Sequence, residues 1–479
     1  MKKKICFMLA GIMLLSCAVF SGCGKKNTDG VVTLTWLLPG DAQPDIASVE
    51  EKINEITTEK IGAKVEFQYI DTGAYTERMK MNMASGMEFD LCFTGYVNPY
   101  IDAVNKEGLL DITDLLDKEA KELKKTLPDY AWDVAAVNGR IYAVPNLQIF
   151  APQESLIIFK DISDKYDFDF SQVKEMEDLA PYLEMVKNGE KGIFPYNSNR
   201  SGTNFWTMNK YEEITSGIVI RTDGSSKEVE LIWDTPEWKQ GVKTLSDWYK
   251  KGYIRSDALS AGDDTQDFIA GRFATGTAGW KPGAEEAAKE KYNRDLMLIK
   301  MQEPYLKKSN CLAAMTGIGY NSKNPEKAIK LIELVNTDKD LYNLICFGIE
   351  GKHYELNAEG KVKKIADSGY NPNADWKFGN QFNAYLLEGQ DDNLWEETAE
   401  LNLSAKKSPI IGFVLDMEPI KSEISQVTAV GGEYARVIAN GAKDPDTYLE
   451  EYRKKLETAG IQKIKEEVQR QIDEYWKTK

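Results

Sequence analysis

Strand-like and helix-like stretches alternate between residues 31 and 95, and this alternation restricts the fold more than any other feature of the chain. Leu34, Trp36 and Leu38 share one side of an alternating segment over residues 31–38, which is typical of a β-strand. The elements predicted next are a helix from about Ile46 to Lys60, a strand through Val65, Phe67 and Tyr69, a helix from about Tyr75 to Ser85, and the short strand Leu91-Cys92-Phe93. The spacing is that of βαβ units, so we predict an α/β fold with a parallel sheet between two layers of helices.

Two loops follow strands of this predicted sheet at its carboxyl edge. They are Pro39-Gly40-Asp41 and Thr94-Gly95-Tyr96-Val97-Asn98. Open α/β sheets bind ligands beyond the carboxyl ends of their strands. Because both loops combine turn formers with hydrogen-bonding or aromatic side chains, we expect them to face one cleft.

Helix signals recur further along the chain. Asp234-Thr235-Pro236 starts a predicted helix, with Thr235 as its cap and Pro236 at its first position, and Asn324-Pro325 repeats this device. Ile461, Ile464, Val468, Ile472 and Trp476 recur every three or four residues, so the C-terminal end is predicted to be one amphipathic helix.

The N-terminal segment reads as a secretory leader. Lys2, Lys3 and Lys4 precede an apolar run from Ile5 to Phe20 and the small residues before Cys23, which is the order of a signal peptide. The run is shorter than the roughly 20 residues of a membrane-spanning helix. Ser21-Gly22-Cys23 resembles a bacterial lipobox, which implies removal of residues 1–22 and acylation of Cys23, with residues 23–30 as a flexible tether. Cys17 as the acylated residue, or an ordinary leader with an incidental cysteine, are the alternatives.

Composition excludes several classes of protein. The net charge is −16, and loss of the lysine-bearing leader makes the remainder more acidic, which argues against nucleic acid as a partner and against a basic membrane patch. The remaining cysteines, Cys92, Cys311 and Cys346, are widely spaced, and His353 is the single histidine. We therefore predict neither a disulfide framework nor a metal site, and no cofactor.

Several motifs together resemble the extracellular solute-binding lipoproteins of ABC importers, in the branch that carries oligosaccharides. They are Gly139-Arg140-Ile141-Tyr142-Ala143-Val144-Pro145, Phe268-Ile269-Ala270-Gly271-Arg272-Phe273-Ala274, and Gly317-Ile318-Gly319-Tyr320 leading into Asn324-Pro325-Glu326-Lys327-Ala328. The tail from Phe413 to Trp476 looks like a C-terminal domain of undefined function that occurs in a subgroup of these lipoproteins.

This resemblance implies a periplasmic-binding-protein-like fold with two lobes and three hinge crossovers. The crossovers are expected near Val144–Leu147, near Ala314–Gly319, and between about Ile365 and Phe413. Lobe 1 would comprise residues 31–145 with about 315–365, and lobe 2 about 146–314 with about 413–479, leaving 366–412 unassigned. The implied protein is a monomer that is held by a lipid on the outer side of the cell membrane, binds a small molecule between its lobes and passes it to ABC permease subunits.

A sugar site needs flat aromatic platforms for C–H faces and polar partners for hydroxyl groups. Our platform candidates are Trp36, Tyr96, Trp206 and Trp280, and our hydrogen-bonding candidates are Asp41, Asn98, Asn204 and Lys281. Trp280 ranks first because it lies between a short strand and the turn Lys281-Pro282-Gly283. The alternative for each tryptophan is a place in the core, and for each polar residue a solvated loop.

Two rival functions remain open from the sequence. A lipid-anchored glycoside hydrolase or lyase would need two carboxylates that flank the scissile bond, and the many acidic residues do not exclude such a pair. The chain shows no nucleophile motif, so we predict no catalytic residues and no enzyme. A ligand-sensing subunit of a membrane kinase, or an adhesin, would use the same fold with another partner.

Overall fold

The computed structural model describes residues 30–198, 202–262, 264–477 and 479. The leader and Cys23 lie outside the described residues. The strands, in chain order, are β1 Val32–Pro39, β2 Ala63–Ile70, β3 Leu91–Gly95, β4 Ala136–Val137, β5 Arg140–Ile141, β6 Ala143–Pro145, β7 Gln153–Phe159, β8 Phe194–Tyr196, β9 Tyr211–Thr215, β10 Ile218–Arg221, β11 Glu230–Leu231, β12 Phe273–Trp280, β13 Leu296–Lys300, β14 Tyr305–Leu306, β15 Ala314–Ile318, β16 Tyr354–Leu356, β17 Val362–Lys364 and β18 Lys406–Lys407.

The α-helices include those predicted at Pro236 and Pro325 and at the C-terminal end. In chain order they are α1 Ile46–Ile61, α2 Thr72–Ala84, α3 Tyr100–Asn105, α4 Thr113–Glu119, α5 Lys121–Thr126, α6 Asp129–Ala135, α7 Lys160–Ser163, α8 Ala180–Gly189, α9 Asn204–Thr207, α10 Pro236–Lys250, α11 Thr265–Ile269, α12 Ala284–Tyr292, α13 Lys308–Cys311, α14 Pro325–Thr337, α15 Lys339–Phe347, α16 Leu394–Ser404, α17 Lys421–Asn440, α18 Pro445–Thr458 and α19 Ile461–Lys477.

The first lobe is built on a five-stranded sheet in the order β2-β1-β3-β15-β6. The strands β1, β2 and β3 are parallel, as predicted, whereas β15 runs antiparallel to β3 and β6. Leu37 is buried together with Trp36 and Leu38 on the opposite face of β1. The sheet is therefore covered on both faces, as the βαβ spacing predicted.

The second lobe holds a four-stranded sheet in the order β13-β7-β12-β8. Here β7 is antiparallel to both of its neighbours, while β8 runs parallel to β12. Phe159, Phe273 and Leu296 fill one side of this sheet, and Leu156, Tyr182 and Leu245 belong to the core on its other side. The start of β7 and the ends of β8 and β12 therefore share one edge.

The C-terminal helices α17, α18 and α19 form a separate core with α10 and the three-stranded sheet β11-β10-β9. Val468 and Ile472 of α19 are fully buried there, together with Ile218 of β10, which confirms the predicted amphipathic C-terminal helix. We call α17–α19 the C-terminal helical domain. It packs on the second lobe.

The chain passes between the lobes three times. It leaves the first sheet after Pro145 and enters the second at Gln153, returns before Ala314, and leaves again through β18 to reach the C-terminal core at Ile410. The predicted second crossover at Ala314–Gly319 is thereby corrected, because Ala314–Ile318 is a paired strand of the first sheet. Val144 likewise belongs to that sheet, so the first crossover begins two residues later. Tyr370, Phe378, Ala384 and Ala405 pack in the first core, which assigns most of the segment left open to the first lobe.

Hydrogen bonds join the crossovers to one another. The side-chain oxygen of Asn402 accepts from the amides of Phe150 at 2.7 Å and Ala151 at 3.3 Å, and its Nδ2 donates to the carbonyl of Gln148 at 2.7 Å. Asn310 Nδ2 donates to the Phe150 carbonyl at 3.1 Å. The β14 and β18 strands pair in parallel beside them. The three crossovers therefore form one hydrogen-bonded hinge.

The predicted helix starts differ in how they are capped. Thr235 Oγ1 accepts from the amide of Trp238 and caps α10 as predicted, whereas Asn324 makes no such bond at the start of α14. Cys92, Cys311 and Cys346 are free and buried, as expected of small apolar side chains. Within the described ranges, no helix has the length and apolar character needed to cross a membrane.

Candidate ligand-binding site

The carboxyl edge of the first sheet presents an aromatic pair. Tyr96 is 56% exposed, and its ring centroid lies 5.7 Å from that of Trp376 and 5.7 Å from that of Phe93. A Cβ on Gly95 would lie 2.1 Å from the Ala313 carbonyl oxygen, at a φ of +146°, so only glycine lets β3 approach the second crossover this closely. Tyr96 then donates its amide to Ala313 at 2.9 Å, which fixes the aromatic pair beside the hinge.

Trp376 and Lys377 belong to a short 3-10 turn at Asp375–Lys377. The Lys377 side chain crosses to the end of β1, where its Nζ donates to the Pro39 carbonyl at 2.7 Å. Burial lowers the pKa of Lys377, and among the described residues no carboxylate pairs with it. Asn146 Nδ2 donates to the carbonyls of Trp376 at 3.2 Å and Lys377 at 2.6 Å, so the first crossover holds this turn in place.

The hinge-side edge of the second sheet carries Trp280. This half-buried residue ends β12 and pairs with Gln153, the first residue after the crossover. The Lys300 ammonium lies 4.0 Å from the centroid of the Trp280 ring, within the range of a cation–π contact. Lys281 follows as an exposed residue. The second lobe therefore presents an aromatic ring and two cations at the edge that adjoins the hinge.

A cavity of about 800 Å³ opens near the loop that follows β8. The exposed Asn204 begins α9 and lines it, as do residues of α17. Because β8 ends at the same edge of the sheet as β12, this loop starts on the hinge side of the second lobe.

The side chains at these edges offer aromatic faces and hydrogen-bond donors and acceptors. No group of three or more histidine, cysteine or acidic side chains that could hold a metal ion occurs in the part of the chain that the structure describes.

Comparison with known proteins decides the family. The model of the bacterial extracellular solute-binding protein family matches residues 52–344, and a domain of unknown function (DUF3502) matches residues 409–477. The chain belongs to the bacterial extracellular solute-binding proteins. The resemblance inferred from the motifs and from the tail is thereby confirmed.

The solute-binding protein is similar to proteins of Streptococcus pneumoniae. A carbohydrate ABC transporter substrate-binding protein is 29% identical over all of this chain and 99% of its own length. The crystal structure of the N-glycan transport solute binding protein NgtS superposes with a TM-score of 0.82 at 27% identity, over 93% of this chain and 99% of that one. NgtS in complex with Man5GlcNAc gives 0.69 over the same shares.

The structure corrects three of the residues predicted for the site. Trp36 is 1% exposed, with its ring 5.5 Å from that of Phe67, because the alternation of β1 turns it into the core. Trp206 is 8% exposed and donates its Nε1 to Glu177 at 2.8 Å under helix α10. Asn98 is 3% exposed, and its side chain shapes the loop by donating to the Phe93 carbonyl at 3.3 Å.

The remaining candidates are exposed or half-buried. Asp41, Tyr96, Trp280 and Lys281 lie on loops or strand ends at the hinge-side edges, and Asn204 begins α9 beside the cavity. Sequence reasoning did not single out Trp376 or Lys377, because their segment has no helical or strand periodicity. Trp376 is half-buried beside Tyr96, whereas Lys377 is 8% exposed and bonds to the Pro39 carbonyl.

Proposed function

We propose that this solute-binding protein captures an oligosaccharide between its two lobes and delivers it to the permease of an ABC transporter. The observation that carries the proposal is the pair of aromatic edges beside one hinge. Tyr96 and Trp376 are hydrogen-bonded to the crossovers on one side, and Trp280 pairs with the residue that follows the first crossover on the other. Flat rings beside hydrogen-bond donors suit the apolar faces and hydroxyl rims of pyranoses.

The relatives support a carbohydrate ligand and a bending hinge. The full-length pneumococcal relative is a carbohydrate transporter component, and NgtS has been solved with Man1GlcNAc and with Man5GlcNAc. This chain superposes on the three NgtS structures with TM-scores of 0.82, 0.71 and 0.69. One relative therefore adopts more than one overall shape, as expected of two rigid lobes that close around a ligand.

Anchoring and localisation complete the proposal. We propose that Cys23 carries the acyl chains, including a palmitate, and holds a monomer on the outer face of the cell membrane beside its permease. Substitution Cys23→Ser should release the protein into the medium or leave an uncleaved precursor, as measured by membrane fractionation and N-terminal mass. A mature N-terminus elsewhere than residue 23 would contradict the lipobox.

We further propose that the bound saccharide leaves unchanged, since the site is a receptor. Chromatography of an oligosaccharide after prolonged incubation with the protein should show a single, unaltered peak. Appearance of shorter sugars would favour the rival glycoside-cleaving enzyme.

Ligand binding is tested by thermal stabilisation of the chain that starts at Gly24. Manno-, malto- and fructo-oligosaccharides and a set of peptides serve as probes. A ligand at 100 times its dissociation constant stabilises the folded state by about 2.7 kcal/mol, which raises the melting temperature measurably. A rise with peptides but with no sugar would refute the carbohydrate assignment.

Aromatic substitutions locate the site. Trp280→Ala and Trp376→Ala should each abolish the sugar-induced shift while the unliganded proteins still melt cooperatively. Trp476→Ala is the matched control, because Trp476 is also half-buried and also lies under a lysine, with Lys227 Nζ at 5.0 Å from its ring centroid, but belongs to α19. If sugars still raise the melting temperature of Trp280→Ala by the wild-type amount, Trp280 has a structural role only.

A further inference from the structure

The cavity of about 800 Å³ lies between the second lobe and the C-terminal helical domain. One wall is formed by the loop and helix at Gly202–Thr207, by the turn of the β9–β10 hairpin and by the start of α10, and the facing wall is helix α17. Pockets that enclose small ligands have volumes of about 300–1,000 Å³. The size of this cavity therefore fits several sugar units.

The two walls are firmly docked on each other around the cavity. Ser198 Oγ donates to Asn440 Oδ1 at 2.7 Å, and Arg436 donates to the Leu259 carbonyl at 2.9 Å. A Cβ on Gly441 would lie 2.3 Å from the Leu245 carbonyl oxygen, so the end of α17 touches the backbone of α10. Interiors of proteins are close-packed, and an opening of this size between closely docked parts needs an explanation.

Helix α17 carries glycine where its surface borders the cavity. Gly431 lies in the middle of the helix and lines the cavity, and a Cβ built on it would meet no atom within 4 Å. Glycine inside a helix costs about 0.5–1 kcal/mol relative to alanine. The helix thus keeps space free at a position where a side chain would extend into the cavity.

The lining combines buried rings with neutral hydrogen-bonding groups. Trp233, Trp238 and Tyr452 border the cavity but are only 5–6% exposed, so they contribute little accessible surface. The neutral polar groups include those of Thr203, Asn204 and Thr428. Only Glu213 and Arg436 are charged among the described lining residues, and their charges are opposite. This chemistry matches a neutral sugar better than an ionic ligand.

From this geometry we infer that the C-terminal helical domain forms one wall of the ligand site, and that the cavity receives the distal sugar units of a neutral oligosaccharide. The inference rests on the proposed function. The near end of the glycan lies at the aromatic edges beside the hinge. Ser198, two residues beyond the end of β8, donates to Asn440, which lines the cavity. The domain of unknown function then sets the length of glycan that the protein prefers.

The test fills the cavity from α17 in the chain that starts at Gly24. Gly431→Trp places a ring in the cavity, and Thr428→Trp does so from the preceding turn of the helix. Gly432→Trp is the matched control, because Gly432 is the next residue, is exposed, has equal space for a Cβ, and does not line the cavity. Circular dichroism and melting temperatures establish that each variant folds.

Calorimetric titration with ladders of manno-, malto- and fructo-oligosaccharides gives the readout. We expect Gly431→Trp and Thr428→Trp to weaken the affinity for the longest bound sugars at least tenfold and to leave the affinity for the shortest bound sugars unchanged. Gly432→Trp should match the wild-type affinity at every length. Wild-type affinities at every length in both cavity variants would overturn the inference and leave the proposed function intact. A wild-type protein that binds no sugar would overturn both.

Discussion

Asn402 is expected to be the most sensitive single side chain of the hinge. It is 3% exposed, and its amide group satisfies three backbone groups of the first crossover, at Phe150, Ala151 and Gln148. Asn402→Ala leaves these groups without their partner. A buried polar group that loses its partner costs about 1–3 kcal/mol. Because the Ala151 bond is long and Gln148 is half-buried, we expect the free energy of unfolding to fall by about 3 kcal/mol in total.

Urea unfolding of the chain that starts at Gly24 is monitored by circular dichroism. Hydrogen exchange is measured for the peptide that spans the first crossover. Asn393→Ala is the control, since Asn393 adjoins the same helix and makes an exposed side-chain bond to Glu397 at 2.7 Å. The control should change stability by less than about 0.5 kcal/mol. If Asn402→Ala differs from it by no more than that, and exchange at Phe150 is not faster, the hinge is not braced as described.

Three further predictions concern the body of the protein. Burial raises the pKa of Glu177, but three side-chain donors together lower it below 4.5. The ionised carboxylate therefore stabilises the fold above about pH 4.5, and this stabilisation is lost as the pH falls through the lowered pKa. In urea titrations, the stability of Glu177→Gln should fall less than that of the wild type between about pH 5 and pH 3. Gly441→Ala forces a Cβ to 2.3 Å from the Leu245 carbonyl oxygen, whereas Gly360→Ala has free space at a similar positive φ. Calorimetry should show that the free energy of unfolding falls by about 1–2 kcal/mol in Gly360→Ala, from the strained backbone alone, and clearly more in Gly441→Ala. Lys377→Met removes a buried ammonium without a carboxylate partner but also leaves the Pro39 carbonyl without its donor. The two effects oppose each other, so the melting temperature should change little while oligosaccharide affinity falls about tenfold, and unchanged affinity would place Lys377 outside the ligand site.

The parts of the fold that the sequence predicts well are those with local periodicity. Strands β1, β2 and β3 and their helices follow from alternation and helical spacing within about 65 residues. The family resemblance placed the second crossover near Ala314–Gly319, and Ala-Met-Thr-Gly-Ile has no alternation that would have marked it as a strand. Its place depends on pairing with β3, more than 200 residues earlier, and such long-range pairing leaves no local pattern.

The candidate site also divides into residues that local patterns indicate and residues that only long-range contacts place. Trp36 alternates in phase with Leu34 and Leu38, so its own periodicity already indicated the core. Trp206 is buried because Gly241 makes room for it: a Cβ there would lie 2.9 Å from the indole. Tyr96 and Trp280 were predicted because turn residues follow strands at those points, and both stay candidates. Trp376 lies near the end of β1 because the chain returns there after more than 300 residues. No local pattern predicts this long-range contact.

We expect the hinge and the C-terminal helical domain to have separable effects on binding. The bonds of Asn440 and Arg436, and the salt bridge of Asp444 to Lys250 at 2.8 Å, tie that domain to the second lobe. Bending of the crossovers therefore moves the Tyr96–Trp376 edge relative to the cavity without changing the cavity itself. A ligand segment in the cavity contacts the same surface in the open and closed states, and such contacts do not shift the equilibrium between them. The sugar units between the aromatic edges must then drive closure of the lobes. Loss of Trp376 should therefore reduce closure with any glycan. Filling the cavity should lower the affinity for long glycans, but the lobes should still close on those that bind.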